Sequence, residues 1–117
     1  MSALMTIQIA ALTVKDSIPK DKPLEERIAF AMCYVRKHEP DIFWMAYEVN
    51  DDMMMRTALA AVVLAGNDDD KEMITRSLKP LQALSALFTG VPVNMSAVDV
   101  ENVLPLMKIW HDSKDQP

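Results

Sequence analysis

The chain has 117 residues, half of them hydrophobic and a quarter charged, with a formal net charge of −5. That length suits one domain around one core, and the apolar content separates it from chains that stay disordered. One cysteine, Cys33, excludes an internal disulfide and a cysteine-cage metal site, and the longest apolar run, residues 58–66, is well short of the roughly 20 residues that a membrane-spanning helix needs.

Residues 6–14 combine a Thr-Ile-Gln-Ile alternation with Ala10-Ala11-Leu12, so a helix is expected there, with a short N-terminal strand as the alternative. Pro19, Pro23 and charges of both signs make residues 15–23 a loop. Pro23 suits a first helical turn. Glu25 and Glu26 then sit where the positive end of a helix dipole favours acid, and Arg36, Lys37 and His38 where its negative end favours base. Ile28, Ala31, Met32 and Val35 recur at helical spacing as the buried stripe, leaving Arg27 and Lys37 for solvent. Glu39-Pro40-Asp41 ends this helix, and Asp41 is placed to cap a short helix, less readily a strand, over residues 42–49.

After Asn50-Asp51-Asp52, residues 53–65 are apolar on nearly every face, which predicts a central helix. Gly66 fits the left-handed position after a helix, and Asn67-Asp68-Asp69-Asp70 would cap the next one across a tight αα turn. Ile74, Leu78, Leu81, Leu84 and Phe88 keep helical phase across Pro80, and residues 90–94 read as a connection. Ser96 and Asp99 resemble a capping box. They open a last helix from about Ala97 to about His111, with Val100, Val103, Leu104, Met107 and Trp110 as its stripe and a bend at Pro105. The expected fold is therefore all-α: a compact single-domain bundle of five or six short helices. Residues 1–22 form an N-terminal segment and loop, 23–112 the helical core and 113–117 a frayed tail. The presence of only two glycines agrees, because a protein built of tight β-turns needs more.

Charge is unevenly spread: +2 over residues 15–37, −7 over residues 39–72 and zero over residues 73–117. The acidic third repels phosphate backbones, so direct nucleic-acid binding is disfavoured. No catalytic or cofactor motif appears, and neither an enzyme activity nor a cofactor is expected. Cys33 and His38 lie about 140° apart around a helix and cannot form a nucleophile and base, so Cys33 reads as a buried structural thiol. His111 reads as a cation near a helix C-terminus. Met53, Met54 and Met55 point about 100° apart, which favours packing over a thioether metal site. Asp51-Asp52 and Asp68-Asp69-Asp70 lack the pattern of a calcium loop and fall at expected helix starts.

What remains is an acidic, Met and aromatic surface, since aromatics and Met are enriched where proteins meet. Its candidate partner-binding residues are Trp44, Tyr47, Asp51, Asp52, Met53, Asp68, Asp69 and Asp70, with core packing expected for at least one of Phe43 and Trp44. The expected function is a small cytoplasmic, non-enzymatic protein-binding module of the inhibitor, adaptor or assembly-chaperone type. Its partner would be another protein, basic or itself nucleic-acid-binding, and not a membrane. Self-association is compatible with the apolar content. The alternative is a helix-turn-helix laid over residues 78–107 that binds DNA as a dimer, although Asp99, Glu101 and Asn102 stand where basic residues normally meet bases.

Overall fold

A computed structural model of the chain describes residues 3–66, Asp69, Glu72 and residues 96–113. Among these residues the regular structure is entirely helical: α1 (Ala3–Val14), a 3-10 turn (Lys15–Ser17), α2 (Leu24–Lys37), α3 (Glu39–Ile42), α4 (Asp51–Ala65) and α5 (Ala97–Ser113). The radius of gyration, 13.6 Å, is that of a compact chain of this length. The helical pattern expected over residues 74–88, whether kinked at Pro80 or broken and restarted there, and the connection at residues 90–94 lie outside the described residues.

Residues 6–14 are helical, so the strand alternative does not hold. Ile7, Ala10, Ala11 and Val14 are all buried, and their spacing of three, four and seven residues is a helical stripe that overrides the β-branched preference. α4 packs along both α1 and α2, and α2 also packs on α5. Alanines at the contacts, Ala10 and Ala11 on α1, Ala31 on α2 and Ala58 and Ala61 on α4, are 0 or 1 % exposed and let the helix axes approach closely.

The predicted stripe of α2 is buried in full. Arg27, expected in solvent, is also buried: its Nε donates to the Lys22 carbonyl at 2.9 Å, so the long side chain lies along the core edge and ties down the loop before the helix. The segment after α2 also differs from expectation. Instead of a helix over residues 42–49 capped by Asp41, one helical turn spans Glu39–Ile42 with Asp41 inside it. Pro40 accounts for the shift, because in a first turn its missing N–H would have had no partner in any case.

α4 begins at Asp51, two residues before the expected Met53, and its cap is Asn50 rather than the aspartates: the Asn50 side chain accepts a hydrogen bond from the Met53 N–H at 2.9 Å, satisfying one of the four orphan donors of a helix start. At the other end Gly66 has φ −103° and ψ −165°, extended rather than left-handed. Its N–H bonds the Val63 carbonyl at 3.4 Å, so the helix closes without a positive φ. The tight αα turn expected beyond it falls mostly outside the described residues.

α5 is continuous through Pro105 and runs to Ser113, two residues past the expected end. Ser113, placed in the frayed tail by sequence, is buried, and its hydroxyl donates to the Trp110 carbonyl at 2.6 Å. Of the expected stripe, Trp110 is buried and Leu104 is 57 % exposed.

Thr57 is fully buried on α4 and its hydroxyl oxygen has no hydrogen-bond partner. A hydroxyl withdrawn from water without compensation is unfavourable. Thr57→Val keeps the branched shape and removes the oxygen, so it is expected to leave stability unchanged or raise it by about 1 kcal/mol. Urea unfolding checks this, and a clear loss of stability would show that the hydroxyl is bonded after all.

Candidate functional site

Between α3 and α4 the chain runs through residues 43–50 without regular structure. Phe43 is 2 % exposed, and Ala46 and Val49 are half-buried against the same core, so every third residue anchors the segment inward. The Ala46 N–H closes a turn on the Phe43 carbonyl at 2.7 Å. The Asn50 cap then fixes the far end to α4. Of the intervening side chains Met45 is half-buried, while the two aromatic ones are turned out: Trp44 is 75 % exposed and Tyr47 106 %. Large aromatic surface is thus held in water by a segment pinned at both ends.

Acid surrounds these rings in sequence. Residues 39–52 contain Glu39, Asp41, Glu48, Asp51 and Asp52 and no Lys or Arg. Asp51 and Glu48 are exposed. Asp52 is half-buried and pairs with Arg56 one turn on, at 3.7 Å. Such a pair on a helix surface contributes a few tenths of a kcal/mol.

The structure does not bring all the candidate residues together. Met53 is 6 % exposed and Met54 and Met55 are equally buried, so Met53 is withdrawn from any partner-facing surface. The reason is tertiary: α4 lies against two helices, and Met53, Met54 and Met55 all belong to the core they share. Asp69 is exposed, while Asp68 and Asp70 lie outside the described residues. Among the described residues, no group of three or more His, Cys, Asp or Glu side chains is placed to hold a metal ion, and no helix is long and apolar enough to cross a membrane.

Two further features escape sequence reasoning. Along α2 and at the residue that closes it, Phe30, Tyr34 and His38 form a ladder of rings at four-residue spacing, with centroid separations of 6.0 Å and 4.4 Å. Arg36, read as a helix-dipole cation, instead lies over the Trp110 ring with its guanidinium carbon 4.0 Å from the centroid. Both of its terminal nitrogens are buried without a hydrogen-bond acceptor, so the indole face is their compensation. The i, i+4 spacing of the rings was a readable signal. The Arg36 contact was not, because it joins two helices.

Cys33, expected to be buried, is only half-buried. It lines a groove of about 690 Å³ between α2 and α5, with Phe30, Ala29 and Ile109 as apolar wall and Glu25, Glu26 and Asp112 as acidic rim. Its thiol reaches the Ser113 carbonyl at 3.9 Å, a weak contact. As the only cysteine, it is an unambiguous reporter. The folded protein is expected to take up one equivalent of thiol reagent, and cationic methanethiosulfonates should react several-fold faster than anionic ones at low salt because the carboxylates concentrate them. High salt should abolish the difference. Equal rates at low salt would show that the rim does not act on the thiol.

Comparison of the chain with protein-family models, with curated proteins and with solved structures returned no match.

Proposed function

We propose that this protein is a small non-enzymatic binding module that engages another protein through Trp44 and Tyr47, with the acidic residues of positions 39–52 as the rim. The observation that supports this reading is the exposure of both rings on a segment whose own anchor, Phe43, is buried. Solvent-facing aromatics at the end of an ordered segment carry apolar area at low conformational-entropy cost, as the anchors of protein interfaces do. The charge of the segment points to a partner with a basic surface, which would be steered toward it and oriented on it. Inhibitors, adaptors and assembly chaperones are the functional classes this chemistry suits. No observation on the described residues favours the DNA-binding alternative.

The test compares wild type with Trp44→Ala/Tyr47→Ala as tagged baits in lysate of the native host, followed by titration of any captured protein in purified form. A stoichiometric partner bound by wild type and lost by the double variant supports the proposal. Recovery of duplex DNA instead, with affinity falling steeply as salt rises, overturns it.

A further inference from the structure

The groove between α2 and α5 joins an apolar wall to a charge that nothing nearby offsets. Its volume, about 690 Å³, lies within the roughly 300–1,000 Å³ of small-molecule sites, which are often lodged between helices. Phe30 of α2, 38 % exposed, and Ile109 of α5 supply the wall, and Cys33 lines the same groove. Two contacts from α2 to α5 hold the helices beside it: the Cys33 thiol on the Ser113 carbonyl at 3.9 Å, and the Arg36 guanidinium over the Trp110 ring at 4.0 Å. The rim is acidic. Glu25, Glu26 and Asp112 contribute carboxylates, and among the described residues no basic side chain lines the groove. Asp112 pairs with Lys108 at 3.6 Å, with both side chains largely exposed, and water screens such a pair. Glu25 and Glu26 take part in no ion pair among the described residues.

We propose that this groove binds a small organic cation with an aromatic body, an arylalkylammonium in chemical class. Charge complementarity sets the sign of the occupant, because the rim attracts a cation and repels an anion. The rim is not a metal site: no group of three or more His, Cys, Asp or Glu side chains among the described residues is placed to hold an ion. The complementary charge therefore belongs to a larger molecule, and the wall defines the rest of it. An aryl group buried against Phe30 and Ile109 leaves its ammonium at the rim, and the negative face of the Phe30 ring adds to the attraction. A neutral apolar ligand would gain the wall and leave the carboxylates unmatched. Neither Trp44 nor Tyr47 lines the groove, so this site is separate from the proposed protein interface.

Isothermal titration calorimetry of the full chain with tryptamine, at physiological salt and up to millimolar ligand, tests this. Tryptophol and indole-acetate, which keep the indole and its carbon skeleton but are neutral and anionic, are the controls. Tryptamine is expected to bind one per chain, at least about tenfold more tightly than either. At saturation it should slow alkylation of Cys33, the only cysteine, by uncharged iodoacetamide several-fold, which places the ligand in the groove without any substitution. Glu25→Gln/Glu26→Gln, at exposed positions, should weaken tryptamine about tenfold with unchanged far-ultraviolet circular dichroism. Spermidine, a cation with no aryl body, should neither displace tryptamine nor protect the thiol. Absence of saturable tryptamine binding overturns the proposal. So do equal affinities for tryptamine and tryptophol, saturation that leaves Cys33 as reactive as before, a folded glutamine variant that binds like wild type, or spermidine matching tryptamine, which would reduce the groove to a diffuse acidic surface.

Discussion

Replacing Leu59 with alanine is expected to lower the unfolding free energy by about 2–5 kcal/mol. Leu59 is fully buried on α4, the helix that packs along both α1 and α2. Truncation there removes the transfer energy of its methyl groups and also leaves a cavity that two helices must collapse to fill. Small alanines already hold the neighbouring contacts close, so little relaxation is available and the upper half of the range is the better expectation. Against a typical total of about 5–15 kcal/mol for a domain, the variant is left marginal. Leu64→Ala on the same helix, where the leucine is 51 % exposed, should cost less than about 1 kcal/mol. Urea unfolding of both variants measures the contrast; equal losses would mean that the two faces of α4 are not distinguished as the structure has them.

The elements that could be read from sequence are those whose signals are local. α2 declares itself by Ile28, Ala31, Met32 and Val35 at helical spacing and by acid at its start and base at its end. The start of α4 was legible to within two residues from Asn50-Asp51-Asp52 ahead of an apolar run, though which of the three side chains caps it was not. Gly66 shows the limit of the same reasoning. A glycine after a helix permits a left-handed residue, but the carbonyl of Val63 accepted the final N–H without one.

Burial within apolar runs was the least legible property. Met53 and Trp44 are both apolar and nine positions apart, yet one is 6 % and the other 75 % exposed. Nothing in either side chain decides this. It follows from α4 lying against two helices while residues 43–50 meet the core through Phe43, Ala46 and Val49. The candidate site was therefore half visible: Trp44, Tyr47 and Asp51 are exposed as an interaction surface requires, and Met53 is not. Cys33 and Arg36 depend likewise on α5, which approaches α2 from far along the chain.

For the proposed interface, Trp44→Ala/Tyr47→Ala is expected to weaken partner binding by at least about 2 kcal/mol, close to thirtyfold, because truncating an aromatic anchor removes both its buried area and the fit of the pocket it fills. Stability should change by less than about 0.5 kcal/mol, since neither side chain is part of the core. That separation is what a structural role for these rings would not produce. The two tryptophans allow a second readout. Trp110 is buried beneath Arg36 and Trp44 lies in water, so in a Trp110→Phe background the emission belongs to Trp44 alone. It should start at the long wavelength of a hydrated indole and shift to shorter wavelength as partner is added. Asp51→Asn is expected to act differently, slowing association and flattening its salt dependence while leaving dissociation nearly unchanged, because a charge at a wet rim steers more than it holds. If the double variant binds as wild type does, or Trp44 emission does not move on saturation, the partner does not meet this segment and the proposed interface fails.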